Sequence, residues 1–188
     1  MIGNEEGIEM LRQEHRFVAE LLGRLGEVAE RIHAGEPVSP GTVRLGVGLL
    51  DAYLHRVHMH QFDRELWPYA RVMAPADCDD TLERIQKEHE RLRSSARELL
   101  ALTSRWALGD VASQEEVARR LSILVAADHA INELEERHPF RCLATTLTAA
   151  DRATIRTTFS GHARTKRALE GRIERYLRLV DPAASPRA

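Results

Sequence analysis

Residues 54–68 read LHRVHMHQFDRELWP and residues 125–139 read VAADHAINELEERHP, so each stretch has a His ten residues ahead of a Pro. A further His precedes this repeated His at a similar distance, 43 residues for His15 and 40 residues for His89. Internal repeats report the architecture of a chain before any single residue does. Because imidazole is a common metal ligand, this repeat also bears on function.

The length and charge of the chain limit the classes of protein to which it can belong. At 188 residues it suits a single domain. A domain of this size buries about 70% of its unfolded surface and has room for a buried polar site. Its 27 Lys and Arg against 29 Asp and Glu leave a net charge of −2. This balance argues against a general nucleic-acid binder, so we expect no nucleic-acid partner.

Several sequence features bear on the cellular location. Cys78 and Cys142 are too few and too isolated for a disulfide framework. Residues 1–12 contain acids rather than the basic and apolar regions of a signal peptide. No apolar run approaches the roughly 20 residues that span a bilayer. These features predict a cytoplasmic protein without a membrane partner, and they leave a monomer and a homodimer equally open.

Apolar residues recur at three- and four-residue steps in five stretches, a pattern typical of helices that bury one face. The stretches cover about residues 5–33, 40–71, 78–107, 113–139 and 150–180. Short connections make long helices antiparallel neighbours. We therefore predict an all-α protein: an up-down-up-down four-helix bundle over residues 1–148, an additional C-terminal helix over residues 149–180 that packs on the bundle or forms an interface, and a disordered tail over residues 181–188.

Four histidines lie on the apolar stripes of the first four predicted helices: His15, His58, His89 and His129. We expect each helix to direct one of them toward the bundle axis. Four imidazoles buried without shared ligation would leave several polar groups unsatisfied. Metal coordination would satisfy them together, so the pattern predicts a metal site within the bundle.

A site for two metal ions also needs carboxylates. His129 and Glu133 are four residues apart and project from one face of a helix, which suits a His on one ion and a carboxylate that bridges two. The equivalent position on the second helix is Phe62, and the nearby acids are Asp63 and Glu65. Glu65 lies about 10 Å further along the helix than His58.

Asp63 is nearer to His58 in height but rotated from it by about 140°, so a local distortion of the helix would have to bring it round. We prefer Asp63 as the ligand and keep Glu65 as the alternative. His55 shares the face of His58 and is a further candidate ligand, whereas His60 points elsewhere and is expected at the surface.

Four motifs follow one another along the chain. They are Gln13-Glu14-His15-Arg16, His58 with Leu66-Trp67-Pro68, Lys87-Glu88-His89, and His129-x-x-x-Glu133. In this order and with these gaps, they resemble the hemerythrin-like, or HHE cation-binding, family over about residues 5–145.

The resemblance implies two non-haem iron ions inside the bundle, bridged by two carboxylates and an oxo or hydroxo group. It also implies a role in carrying, storing or sensing O₂, or in responding to iron, nitric oxide or peroxide. By resemblance, the ligands would be His15, His58, His89, His129 and Glu133. Zinc or a single metal ion is the alternative, because imidazole and carboxylate suit several divalent ions.

The chain departs from the family pattern at two positions. Phe62 stands where the second helix usually has a Glu, which puts one bridging carboxylate in doubt. Arg93 stands where oxygen carriers have a second His on the third helix, which argues against a reversible O₂ carrier. Fewer nitrogen ligands leave open positions at which peroxide could react, although nothing indicates a dedicated enzyme.

Two other classes of protein compete with this interpretation. A ferritin-type enzyme would use Glu-x-x-His pairs, but Glu30-x-x-His33 and Glu135-x-x-His138 both lie at the ends of predicted helices. A helical interaction bundle with a degenerate or single-metal site is the second, with Phe62 as the trace of the loss. Metal content would separate these classes.

Overall fold

The computed structural model describes residues 6–73 and 79–181, which form helices and no β-strand. The α-helices are α1 (Glu6–His33), α2 (Pro40–Tyr53), α3 (Trp67–Met73), α4 (Asp79–Ala107), α5 (Ser113–Glu135), α6 (Arg141–Thr146), α7 (Ala149–Gly161) and α8 (Ala163–Val180). The all-α prediction is confirmed. The predicted break before the third helix and the predicted tail after Asp181 lie outside the described residues. None of the described helices combines the length and apolar character that crossing a membrane requires.

Within residues 6–73 and 79–181, three π-helical segments interrupt the long helices. The first segment (Leu54–His58) and the second segment (Gln61–Leu66) lie between α2 and α3, and the third segment (Glu136–Phe140) joins α5 to α6. A π-helical turn contains more residues than an α-helical turn and therefore rotates the side chains that follow it. The prediction that the fourth helix ends at Pro139 is wrong, because Pro139 lies within the third segment and the helix continues to Thr146.

The long helices pack around one another with the C-terminal helices on one side. α5 packs against α1 and α4, and α2 packs against α4 and α1. α8 lies against α2 and α1, and α7 lies against α1 and the second segment. The C-terminal helices therefore cover the side of the molecule that α1 and α2 form.

The core contains two apolar clusters. The first cluster includes Val18, Leu25, Leu50, Val57, Leu92, Leu99, Leu121, Leu124 and Ile173. The second cluster includes Leu11, Phe62, Leu66, Ile85, Phe140, Ile155 and Phe159. Along α1 and α4, residues of the second cluster come before those of the first, and from α2 to α3 and from α5 to α6 the order is reversed.

A polar layer separates the two clusters at the middle of the core. His15 on α1, His89 on α4 and Glu135 on α5 are buried polar residues that lie between the residues of one cluster and those of the other. Two more buried polar residues, His58 in the first segment and Asp128 on α5, lie among residues of the first cluster near this boundary. The helices thus bring polar groups from four different parts of the sequence to the middle of the core.

The single C-terminal helix predicted from the sequence is two helices. α7 ends at Gly161 and α8 begins at Ala163, with His162 between them. The break has a physical reason, because the two helices cover different parts of the core. Phe159 on α7 belongs to the second cluster, whereas Ile173 on α8 belongs to the first.

Gly46 allows α8 to approach α2 closely. A Cβ atom at this position would lie 2.3 Å from the hydroxyl oxygen of Tyr176 and 2.4 Å from its Cζ. The Tyr176 ring is itself buried and cannot easily move away. Only a residue without a side chain fits here, so Gly46 helps to fix α8 on the bundle.

Candidate metal centre

The polar layer contains three histidines, three carboxylates and one amide, all of them buried. They are His15, His58, His89, Glu14, Asp128, Glu135 and Gln61. Burying charged and polar groups is costly unless each finds a partner. The contacts within the layer therefore determine what it can do.

Glu135 lies between two of the histidines. Its Oε2 is 2.7 Å from Nε2 of His15, and its Oε1 is 2.9 Å from Nε2 of His89. Burial opposes ionisation of Glu135, but His15 and His89 outweigh it and hold the pKa of this carboxyl well below its usual range. The carboxylate is therefore ionised, and each of its oxygens faces a different imidazole.

His58 completes the group of imidazoles. Its ring centroid is 4.7 Å from that of His15 and 5.8 Å from that of His89. One ligand atom each from His15, His58 and Glu135 lie within 4.8 Å of one another. Metal ions bind such nitrogen and oxygen atoms at about 2.0–2.2 Å, so these three donors are close enough to share one ion after small movements.

Five donor atoms of this group form no hydrogen bond of acceptable geometry. They are Nε2 of His15, Nδ1 of His58, Nε2 of His89, and Oε1 and Oε2 of Glu135. Several of them are close to one another, so it is their direction and not their distance that prevents hydrogen bonding. A metal ion would accept their lone pairs together, and the donor set therefore fits a metal ion.

Asp63 joins the layer from the second segment. Its Oδ1 is 3.1 Å from Nδ1 of His89, and its Oδ2 accepts a hydrogen bond of 2.9 Å from Arg93. In a regular α-helix Asp63 would point away from the face of His58, but the π-helical turns rotate it toward the core. The choice of Asp63 over Glu65 from the sequence depended on a local distortion of this kind.

Glu14 fixes His58 from the other side. Its Oε2 lies 3.5 Å from Nδ1 of His58, and its Oε1 accepts a hydrogen bond of 2.7 Å from Nζ of Lys166 on α8. With the Gln61 amide oriented so that its nitrogen donates, this nitrogen lies 2.6 Å and 2.9 Å from the two oxygens of Glu14. Lys166 and Gln61 thus hold the carboxylate beside the imidazole of His58.

Two further groups in the layer have strongly shifted pKa values. Burial disfavours protonated His89, but Asp63 and Glu135 outweigh burial and raise the pKa of this imidazole to about 9. Burial raises the pKa of Asp128 to about 6, although His58 and a hydrogen bond from Asn132 act in the opposite direction. A metal ion that binds His89 must therefore displace a proton.

The comparison with protein families agrees with this geometry. A family model described as the hemerythrin HHE cation-binding domain matches residues 6–143, most of the chain. The chain belongs to this family. No curated protein and no solved structure matches it.

For a hemerythrin HHE domain, the positions of His129 and Glu133 are unexpected. The expectation that His129 points toward the bundle axis is wrong, because its side chain is 79% exposed. Glu133 is 50% exposed and lies 3.4 Å from His129 at the surface. The structure brings neither residue to the polar layer, and Asp128 and Glu135 are the residues of α5 that lie there.

The orientation of α5 about its own axis explains why His129 and Glu133 lie at the surface. Its buried face follows Leu121, Leu124, Asp128, Ile131 and Glu135, at steps of three or four residues. His129 is one residue beyond Asp128 and so lies about 100° away around the helix. The same stripe is readable in the sequence, and extending it from Leu121 would have identified both buried carboxylates.

The two departures from the family pattern lie beside His89. Phe62 is fully buried, and its ring centroid is 5.1 Å from that of His89 in an edge-on arrangement. Arg93 forms an ion pair with Asp63. An apolar ring and a paired cation thus occupy the places where relatives are expected to have a Glu and a His.

The remaining candidate ligands lie outside the polar layer. His55 is exposed and joins no cluster of potential ligands among the described residues. Glu65 instead lies 2.7 Å from Nε2 of His162. His60, which the sequence places at the surface, is 40% exposed and lies 3.8 Å from the same carboxylate.

A groove leads from the surface toward the polar layer. It has a volume of about 450 Å³ between α1 and α5. Its lining residues include Arg12, Arg16, His129, Glu133 and, from the polar layer, His15. A small molecule could therefore approach the centre from the side of His15.

Proposed function

We propose that this chain binds non-haem iron in the polar layer and uses it to bind or sense O₂ or a related small oxidant such as peroxide or nitric oxide. The observation that carries the proposal is the convergence of buried donor atoms that form no hydrogen bonds, on His15, His58, His89 and Glu135. Membership of the hemerythrin HHE family supports the same conclusion.

A site for two iron ions is the form that the contacts favour. Glu135 turns one oxygen to His15 and the other to His89, as a carboxylate that bridges two ions would. His15 and His58 would hold one ion, and Nε2 of His89 would hold the other, which Asp63 would reach by turning away from Nδ1 of the same ring. When bound, iron supplies reversible one-electron chemistry and open positions for small molecules.

The residues around the site control access and charge. His58 is oriented by Glu14, which Lys166 in turn holds at 2.7 Å. Phe140 stacks on His15 with ring centroids 5.4 Å apart and excludes water from that side. The groove that reaches His15 would admit small molecules.

Sensing or reaction suits this site better than oxygen transport. Oxygen carriers of the family have a second His where this chain has Arg93, and Arg93 pairs with Asp63 instead of offering a lone pair. An ion on the side of His89 would have fewer nitrogen ligands and more open positions than in a carrier.

A single metal ion, within a bundle that mainly serves interactions, is the second candidate. The observation in its favour is that Asp63 already has two partners, His89 and Arg93. A carboxylate engaged in this way would have to exchange at least one partner for a second ion. The ion would then be held by His15, His58 and Glu135 alone.

The remaining features of the proposal concern the setting of the site. We assign the bundle to residues 1–148, with up-down-up-down topology, and the C-terminal unit to residues 149–180. The opposite order of the apolar clusters along successive long helices supports this topology. A cytoplasmic monomer or homodimer, in which Cys142 remains a free thiol, is the form that we propose.

Metal analysis of the purified full chain tests the proposal. We expect two iron ions per chain after anaerobic loading with Fe²⁺ and exposure to air. Charge-transfer absorption bands that change when azide is added would show that small anions reach the iron. One iron ion per chain supports the second candidate, and a chain that retains no iron contradicts both.

A further inference from the structure

A second group of potential metal ligands lies at the junction of α7 and α8. Nε2 of His162 is 2.7 Å from Oε1 of Glu65, and Nε2 of His60 is 3.8 Å from the same oxygen. The ring centroids of the two histidines are 4.8 Å apart. One ligand atom of each residue lies within 4.8 Å of the other two.

Glu65 has a free acceptor in this group. Its side chain is only 8% exposed, and its buried Oε2 has no hydrogen-bond partner. A simple pair between His162 and Glu65 would satisfy Oε1 and leave Oε2 with nothing. A buried carboxylate oxygen without a partner is costly, and a cation beside it would remove that cost.

The donor types and distances suit zinc. Two imidazoles and one carboxylate with an open fourth position form a common zinc ligand set. Ligands bound to zinc at about 2.0–2.2 Å in a tetrahedron are separated by about 3.4 Å. The contacts of 2.7 Å and 3.8 Å to Glu65 lie on either side of that value, so small side-chain movements would suffice.

We propose that His60, Glu65 and His162 bind a divalent cation, by its ligand chemistry Zn²⁺, that fastens the C-terminal helices to the second segment. The three residues come from two regions that are distant in sequence, since Glu65 and His162 are 97 positions apart. The site shares no ligand with the proposed iron site and does not depend on it.

The cation would also act on the polar layer through α8. Lys166, one helical turn after His162, donates to Glu14, and Glu14 lies beside His58. Holding the start of α8 in place would keep Lys166 on Glu14. Loss of the cation is therefore expected to loosen the groups that orient His58.

The test uses the full chain freed of metal with a chelator and titrated with Co²⁺, which reports tetrahedral coordination by its visible absorption bands. Glu135→Gln is the background, because Glu135 would be a ligand in both forms of the proposed iron site. In that background we expect the tightest Co²⁺ equivalent to bind at His60, Glu65 and His162, and we expect His162→Gln to weaken it at least about tenfold. His33→Gln is the matched control, since His33 also faces a Glu, at 2.9 Å, but at the exposed end of α1.

Zinc-dependent stability provides the second measurement. Zn²⁺ should raise the melting temperature of the wild-type chain and of His33→Gln, and the part of this rise that comes from the second site should be missing in His162→Gln and in His60→Gln. His60 is partly exposed, so His60→Gln decides the matter if His162→Gln does not fold. Unchanged Co²⁺ affinity and an unchanged zinc response in the folded variants would overturn the proposal.

Discussion

The fully buried carboxylate of Glu135 places Oε1 2.9 Å from Nε2 of His89, although the two residues lie on different helices. Neither atom forms a hydrogen bond of acceptable geometry. This contact, repeated on the other oxygen with His15 at 2.7 Å, is the basis of the proposed metal site. It also determines how the protein should respond to substitution and to pH.

Replacing Glu135 with Gln should remove iron from the protein. Gln has almost the same volume but carries no charge and offers only one oxygen, so it cannot serve two ions. We expect the iron content of Glu135→Gln to fall below half of the wild-type value. Glu133→Gln is the matched control, because Glu133 lies two residues away and is 50% exposed. Equal iron content in both variants would refute the role of Glu135.

Asp63 and Glu65 should affect different metal ions. Asp63 lies beside His89, whereas Glu65 lies beside His162. Asp63→Asn is expected to lower the iron content from two ions to one and to leave unchanged the part of the zinc-dependent stability that comes from the second site. Glu65→Gln should keep both irons and lose that part of the zinc response. Iron and zinc determination on both variants checks this, and full iron retention in Asp63→Asn would show that Asp63 is not a ligand.

The stability of the metal-free protein should decrease at alkaline pH. The pKa of His89 is raised to about 9 in the folded state, from an unfolded value of about 6.5. The folded protein holds this proton more tightly, so its contribution is complete below about pH 6.5 and is lost as the pH rises through about 9. The difference between these two pKa values limits the contribution to about 3 kcal/mol.

Urea unfolding of the metal-free chain between pH 7 and pH 10 measures this effect. The unfolding free energy of the wild type should fall across this range, and the slope should be smaller in His89→Gln. A His33→Gln variant should keep the slope of the wild type, because His33 is partly exposed and lies outside the polar layer. Parallel curves for all three proteins would contradict the assignment of the proton to His89.

Adding a single methyl group at Gly46 should destabilise the docking of α8. A Cβ atom there would come within 2.3 Å of the hydroxyl oxygen of Tyr176. Overpacking of this kind costs about 1–3 kcal/mol. Gly48→Ala on the same helix is the control, since its Cβ would meet only Leu100 Cδ1 at 3.7 Å, and it should stabilise the helix by up to about 1 kcal/mol. The urea unfolding midpoint should therefore fall in Gly46→Ala and rise in Gly48→Ala.

The sequence predicted much of the fold because apolar periodicity is a local property. The long helices and the buried positions of His15, His58 and His89 follow from that pattern, and the order of the histidine motifs indicated the family. The break at His162 was not predicted, because it depends on which part of the core each C-terminal helix covers. That depends on contacts between residues distant in sequence.

The errors in the site have a common origin. The sequence interpretation assumed one His from each helix and therefore chose His129 and Glu133 on α5. The rotation of α5 instead buries Asp128 and Glu135, a difference of only one or two residues. Motif spacing cannot detect a rotation of this size, and π-helical turns such as the one that carries Asp63 cannot be foreseen from apolar periodicity.

The most direct test compares iron binding by His89→Ala and His129→Ala. Both variants lack an imidazole that lies beside a glutamate. His89, however, is buried in the polar layer, whereas His129 is exposed on the surface of α5. The proposed site predicts that His89→Ala loses at least half of the iron and the azide-sensitive absorption, whereas His129→Ala keeps both. Loss of iron in His129→Ala with full retention in His89→Ala would contradict it.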